Sequence, residues 1–308
     1  MTLMKAPALA YRGHRYKRLD AANFGGLTDR LRCLLTCSAF SESTPHVYWD
    51  GNWSGAPLHR YPLDDAKRLM SLPLLPTASL EQSVVPTYDD WIVLTPEIVS
   101  GPRATAALCI DALNGDGLKS AAMLYQIPDP IYDSLQSRFR RLFSSEYLQK
   151  IDQLTDVCRG LRYAVISFRF WSECVPTFRI DSFIDRVDAN WTTLTDFEDV
   201  CQAIISAKWP RLRPAASALR SARDFFRGNG IDNIILMSDR WQGASFCVGT
   251  ARIINDAVLA NFPAGIERQL ANMFVIANAT FFWRSKDSTY THLPILLSEK
   301  WSIRIIDT

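Results

Sequence analysis

Three stretches of this chain run from apolar residues straight into polar ones: Ala164-Val-Ile-Ser-Phe-Arg169, Ile235-Leu-Met-Ser-Asp239 and Phe281-Phe-Trp-Arg-Ser-Lys-Asp-Ser-Thr289. Each reads as a buried strand that opens into a loop, and a parallel α/β sheet builds ligand sites at such strand ends. Arg169 stands three positions past the run Ala-Val-Ile, and its guanidinium is a planar fork suited to phosphate. Ser288 and Thr289 precede a helix start, expected from about residue 289 with Pro294 in its first turns, where hydroxyls and free backbone N–H groups bind anions. Ser238 and Asp239 end the middle stretch, and the Asp239 carboxylate could accept a ribose or sugar hydroxyl. Earlier in the chain, Tyr48-Trp49-Asp50-Gly51-Asn52-Trp53 combines aromatic faces with a carboxylate and an amide, the chemistry that stacks and orients sugars. Each group also has a plainer use: Arg169 in an ion pair with Glu173 or Asp181, Ser288 as an ordinary N-cap, Asp239 as a loop cap, and the aromatic residues as core.

The elements that must position these groups follow from periodicity and turn chemistry. Residues 17–24 read as a strand, and Gly25-Gly26 as a tight turn made cheaply without Cβ atoms. A helix follows, with Thr28 as N-cap, Asp29 at its positive end, and Leu27, Leu31, Leu34 and Leu35 at helical spacing. Arg30 and Arg32 fall on its solvated side. Residues 46–50 form a second strand. Five prolines between 71 and 102 leave room for one short strand at 91–95, and Pro128 and Pro130 interrupt the chain again. A helix at 144–159 closed by Gly160, a strand at 163–168, helices at 196–207 and 215–227, a strand at 233–237, a helix at 266–279 and a strand at 280–283 then alternate. Alternation of this kind predicts an α/β fold of two Rossmann-like domains, residues 1–150 and 151–308.

With 308 residues and 48% apolar content the chain can bury an extensive core. Its 34 basic and 32 acidic residues leave a net charge of +2, which creates no field for nucleic acid or a membrane surface. The cluster Arg220, Arg223 and Arg227 is interrupted by Asp224, so nucleic acid is not expected as the main ligand. The seven cysteines include no Cys-x-x-Cys pair and read as reduced core residues of a cytoplasmic protein. The apolar patch at 6–11 is too short for a signal or membrane segment. Asn52, Asn190 and Asn278 stand in glycosylation-acceptor patterns that a cytoplasmic protein would not use. No two of the four histidines share a ligand spacing, so neither a zinc site nor any other resident metal or cofactor is expected. A Gly-x-Ser-x-Gly elbow and a His-Glu-x-x-His pair are both missing, which leaves hydrolase mechanisms without a foothold. Gly25-Gly26 lacks both the Gly-x-Gly-x-x-Gly spacing and the Gly-Lys-Ser/Thr of a P-loop.

Taken in order, Gly-Gly-Leu-Thr-Asp-Arg-Leu-Arg (25–32), Val-Ile-Ser-Phe-Arg (165–169), Ile-Leu-Met-Ser-Asp (235–239) and Phe-Trp-Arg-Ser-Lys-Asp-Ser-Thr-Tyr (282–290) resemble the fucosyltransferases related to the nodulation-factor, core α1,6 and protein O-fucosyltransferases. The resemblance implies a GT-B-like fold, with a GDP-sugar held mainly by the second domain and an acceptor entering from the first. Arg169 matches the family arginine on the diphosphate and is the catalytic candidate. Gly25, Gly26, Ser167, Ser238, Asp239, Asn272, Ser288, Thr289 and Tyr290 complete the donor set, and Arg30, Trp49 and Asp50 lie on the acceptor side. Three positions depart from the family: Ser167 replaces its histidine, Phe170 its second arginine, and Asn272 an acidic residue that meets guanine. An amide oxygen accepts a weaker bond than a carboxylate does, by about 1 kcal/mol.

The expectation is therefore an inverting, metal-independent glycosyltransferase that uses a nucleoside-diphosphate sugar, GDP-linked by the resemblance, and a small-molecule or glycan acceptor. The alternative is a catalytically degenerate protein of the same fold that binds nucleotide or glycan as an assembly partner. The sequence names no catalytic base beyond Asp50 and Asp239 by type, and no oligomeric state.

Overall fold

The computed structural model describes residues 9–11, 14–16, 27–28, 31, 47–49, 61–76, 92–93, 129–168, 196–206, 213–238, 246–284, 292–299 and 302–307. The chain divides into two compact units, Met1–Lys150 with Gly265–Glu267, and Ile151–Ala264 with Arg268–Thr308.

In the first unit, β1 (Leu9–Tyr11) pairs antiparallel with β2 (His14–Tyr16) and parallel with β5 (Ile92–Val93), while β3 (Val47–Trp49) pairs parallel with β4 (Leu74–Pro76). Leu27, Thr28 and Leu31 are helical and buried. Thr28 thus lies inside the helical turn instead of capping it, and the Leu27 N–H donates to the Tyr61 hydroxyl at 3.3 Å. A distant phenol thereby satisfies one of the donors that a first helical turn leaves open.

Helix α1 (Leu63–Leu69) and helix α2 (Asp129–Arg141) were not evident in the sequence. Pro130, read above as a break, is the second residue of α2, where a missing N–H costs nothing, and Asp129 before it suits the positive helix end. Met70 and Phe143 form an isolated bridge, with Ser71 N–H donating to Leu142 O and Ser144 N–H to Leu69 O, both at 2.8 Å. The rings of Phe139, Phe143 and Tyr147 pack in sequence at centroid distances of 5.0 and 5.6 Å. Helix α3 (Ser145–Arg159) buries Tyr147, Ile151, Leu154 and Cys158, spaced at helical intervals. Gly160 follows it without a left-handed backbone, and Leu161 N–H closes the turn on Cys158 O at 3.1 Å.

The second unit is built on a five-stranded sheet in the order β10-β9-β6-β7-β8, with β6 (Ala164–Phe168), β7 (Ile234–Ser238), β8 (Phe246–Val248), β9 (Phe281–Arg284) and β10 (Arg304–Asp307). All neighbours are parallel except the edge pair β7 and β8. Continuous apolar runs such as Ile-Ile-Leu-Met fit central parallel strands covered on both faces. The covering helices are α4 (Phe197–Ser206), α5 (Arg213–Gly228), α6 (Arg252–Asn261), α7 (Ile266–Ala277) and α8 (His292–Leu297).

Helix α4, expected at 196–207, starts where the Asp196 carboxylate accepts the Asp199 N–H at 2.9 Å as an N-cap. Helix α5 turns Ala216, Leu219, Ala222 and Phe226 inward and ends at Gly230, whose φ of 71° suits glycine. Helix α7 is buried over most of its surface, from Leu270 and Ala271 through Met273 to Ala277. Three helix ends share one device: Asn229, Asn261 and Asn278 each donate a side-chain N–H to the carbonyl four residues earlier, at 2.8, 2.9 and 2.8 Å. The Phe225 and Phe274 carbonyls also accept the backbone N–H of the same asparagine, each at 3.2 Å, so the amide adds a second bond at the helix end.

Candidate functional site at the carboxyl edge of the sheet

The registers arrange the four parallel strands in rows. Arg304, Phe281, Ala164 and Ile234 start together; Ile305, Phe282, Val165 and Ile235 follow; then come Ile306, Trp283, Ile166 and Leu236. The fourth row is Asp307, Arg284, Ser167 and Met237, and beyond it Phe168 stands opposite Ser238. Two apolar rows thus give way to hydroxyl and charged residues at the carboxyl edge.

The opposite, amino edge is tied down. Ala164 N–H donates to Asn233 O and Thr280 N–H to Tyr163 O, both at 2.9 Å, and Arg304 N–H donates to Thr280 O at 3.0 Å. The Asn233 side chain donates to Arg162 O at 3.1 Å and accepts from Thr250 N–H at 2.7 Å and the Thr250 hydroxyl at 2.6 Å. The Tyr163 hydroxyl donates to Val275 O, fixing β6 to α7. The amino edge is therefore a braced floor.

Strand order reverses direction between β6 and β9: from β6 the chain proceeds to β7 and β8 on one side, and from β9 to β10 on the other. Open α/β sheets bind ligands at such a point, outside the carboxyl ends of the strands, because the diverging connections leave a crevice there. Ser167 of β6 and Arg284 of β9 are the register pair at that place, on neighbouring strands about 4.8 Å apart and on the same sheet face. Ser167 is 8% exposed and Arg284 is 1% exposed.

Of the expected donor residues, the structure brings Ser167 and Ser238 to the ends of adjacent strands. Asn272 lies on α7, partly exposed between buried Ala271 and Met273. Trp49 is the last residue of β3, in register with Pro76. Gly25, Gly26, Arg30, Asp50, Arg169, Asp239, Ser288, Thr289 and Tyr290 lie outside the described residues, as does the strand expected at 17–24. By chain position Arg169 directly follows β6, and Asp239 directly follows β7. The helix expected from about 289 begins at His292 instead, with Pro294 as its third residue. Pro294 fits a first turn that needs no N–H from it, and Ser288 and Thr289 precede the helix in the chain.

Sequence reasoning passed over Arg284. The signal is an arginine ending the aromatic run Phe-Phe-Trp, one position past the strand expected at 280–283 and inside β9 in the structure. Its burial is a property of the assembled sheet.

The basic cluster on α5 is neutralised locally. Arg220 Nε meets Glu198 Oε2 at 3.1 Å, Arg223 Nη1 meets Glu198 Oε1, and Arg223 Nη2 meets Asp224 Oδ1 at 2.8 Å. Burial pushes the Cys158 thiol up to about 11, and the Cys201 thiol to about 11 against the opposing pull of Arg220. The Cys247 thiol is raised further by burial. Neutral thiols of this kind are packing groups and poor nucleophiles. Among the described residues, no group of three or more His, Cys, Asp or Glu is placed to hold a metal ion, and no helix is long and apolar enough to cross a membrane. Asn278, in one of the three acceptor patterns, spends its amide on Phe274 O.

No family model matches the chain, and no curated protein matches it either. Among solved structures the chain is similar to the fucosyltransferase NodZ from Bradyrhizobium, at 16% identity and a TM-score of 0.34, over 89% of this chain and 90% of that one. It is likewise similar to NodZ alpha-1,6-fucosyltransferase co-crystallised with GDP, at 16% identity and a TM-score of 0.33, over 89% of each chain. For the same enzyme soaked with GDP-fucose the values are 15% and 0.34, over 89% of each chain.

Proposed function

We propose that the chain is a glycosyltransferase of GT-B-like fold that moves a sugar, fucose or a related hexose, from a nucleoside-diphosphate donor to a small-molecule or glycan acceptor. The donor is GDP-linked, and transfer proceeds with inversion and without a metal. The observation that carries this reading is the polar row at the β6–β9 switch point, where Ser167 and Arg284 stand in register directly before the segments that bear Arg169 and Ser288. Motif order along the chain supports it.

In this reading residues 151–308 hold the donor. Arg169 sits on the diphosphate with the Ser288 and Thr289 hydroxyls, and stabilises negative charge as the glycosidic bond to phosphate breaks. Gly25, Gly26, Ser238, Asp239, Asn272 and Tyr290 complete the donor set, while Arg30, Trp49 and Asp50 serve the acceptor from residues 1–150. Positive charge on the sugar is quenched by an acceptor hydroxyl, whose proton leaves to a base such as Asp50 or Asp239. Ser167 offers the base of the nucleotide a neutral hydroxyl.

The test is calorimetric titration with GDP, UDP and CDP, followed by donor consumption with candidate acceptors. GDP is expected to bind best and its fucose conjugate to be consumed. Binding of GDP without consumption of any sugar nucleotide would favour the degenerate binding partner. Absence of nucleotide binding would remove both.

A further inference from the structure

We infer that Asn229-Gly230, at the end of α5, is a modification site of this chain: a point of spontaneous deamidation that the last turn of the helix holds shut and that reacts when that turn opens. The inference stands apart from the nucleotide reading. Three helix-end asparagines turn their side-chain amide back onto the helix, but Asn261 precedes Phe262 and Asn278 precedes Ala279, whereas Asn229 precedes a glycine. Without a Cβ, Gly230 leaves its own backbone nitrogen open to approach from the preceding side chain. Both residues are exposed, so water reaches them.

The reaction is an intramolecular substitution followed by hydrolysis. Gly230 N bonds to Asn229 Cγ, the Cγ–Nδ2 bond breaks, and the amide nitrogen leaves as ammonia with the proton that Gly230 N gives up. Water then opens the cyclic imide. Addition at Cγ gives aspartate, and addition at the Asn229 backbone carbonyl gives isoaspartate, in which the main chain runs through the former side chain. Water is the sole co-reactant.

The fold engages both reacting groups elsewhere. Gly230 N–H donates to Arg227 O at 2.9 Å, and Asn229 Nδ2 donates to Phe225 O at 2.8 Å. On either side, Asn229 N–H and Ile231 N–H both donate to Phe226 O, at 2.9 and 3.0 Å, and Gly230 is held in the left-handed region at a φ of 71°. Attack requires the bonds to Arg227 O and Phe225 O to open together. The product cannot restore the second: an aspartate has no N–H for Phe225 O and sets a carboxylate against the negative end of the helix. Conversion therefore loosens the end of α5.

The full-length protein is incubated in mildly alkaline buffer, native and unfolded in urea, and Asn229 is followed by peptide mass mapping with isoaspartyl methylation as a second readout. Asn114-Gly115, the other Asn-Gly pair of the sequence, is the reference in urea. There the two are expected to convert at similar rates. In the native protein Asn229 is expected to convert at least about 10-fold more slowly, because two hydrogen bonds must open first. Hydrogen exchange of the Gly230 N–H reads the same opening, so its protection is expected to match the slowing of deamidation within about threefold. Asn229→Asp, which makes the acid product directly, is expected to speed exchange at Gly230 and Ile231 by about 10-fold.

A native rate equal to the rate in urea would overturn the protection by α5, and an unconverted Asn229 in urea would overturn the site itself. Strong protection of Gly230 with fast conversion would place the reaction outside this opening and overturn the inference as well. Exchange unchanged in Asn229→Asp would overturn the loosening.

Discussion

Replacing Gly249 by alanine tests whether the amino edge of the sheet is braced as the hydrogen bonds indicate. Gly249 has a φ of 67°, and an added Cβ would lie 2.6 Å from Asn233 Oδ1. Ordinary contact begins near 3.4 Å, so Asn233 must retreat by about 0.8 Å. Its Oδ1 would then lose the Thr250 N–H and hydroxyl, now at 2.7 and 2.6 Å. The left-handed backbone costs about 1–2 kcal/mol for a residue with a Cβ, and two partly solvated hydrogen bonds add about 0.5–1 kcal/mol each. Gly249→Ala is therefore expected to destabilise by about 2–4 kcal/mol, lowering the thermal midpoint by roughly 5–15 °C. Asn233→Ala loses three bonds and is expected to cost about 1.5–3 kcal/mol.

The two changes share the Oδ1 bonds. The double variant should fall short of the sum of the single variants by about 1–2 kcal/mol, a coupling that urea unfolding of the four proteins measures. Strict additivity, or a Gly249→Ala cost below about 1 kcal/mol, would refute the reasoning. Because the brace lies at the edge opposite the site, GDP affinity below the melting range is expected to be unchanged in all four.

Two further outcomes are expected. The Cys158 thiol is raised by burial from 9.0 to about 11, so the fold binds the proton more tightly than the unfolded chain does. Its contribution is then complete below pH 9.0 and lost as pH climbs through about 11. Urea midpoints should fall across that window by the equivalent of up to about 2–3 kcal/mol, and Cys158→Ala should show a shallower fall. Glu198→Gln removes the partner of Arg220 and Arg223, but Glu198 is 51% exposed. The cost is expected to stay under about 1 kcal/mol and to shrink further in high salt, as chemical unfolding at two ionic strengths would show.

What the sequence disclosed follows the strength of local signals. The central strands β6, β7 and β9 were legible because parallel strands buried on both faces are continuous apolar runs, and α3, α4, α5 and α7 because periodicity agreed with their ends. Short edge strands such as β8 and β10 carry too few residues for a pattern, and the hairpin of β1 and β2 was hidden in a short apolar patch. Helix α2 is hidden in the sequence because Pro130 reads as a breaker, although it stands in the helix's first turn. Thr28 reads as a cap but is itself helical, and the Leu27 N–H before it finds its acceptor in the Tyr61 hydroxyl, distant in the chain. The polar turn of each site strand could be read in one dimension. That Ser167 and Arg284 lie side by side, and that the arginine is buried, depends on the order of strands in the sheet.

The central claim is that the carboxyl edge between β6 and β9 holds the diphosphate of a nucleotide, and a crystal structure of the protein soaked with GDP tests it most directly. The account predicts phosphate oxygens at the carboxyl ends of β6 and β9, within hydrogen-bonding reach of Arg169. Phosphates seated at the amino edge beside Asn233, or anywhere away from the ends of β6 and β9, would contradict it.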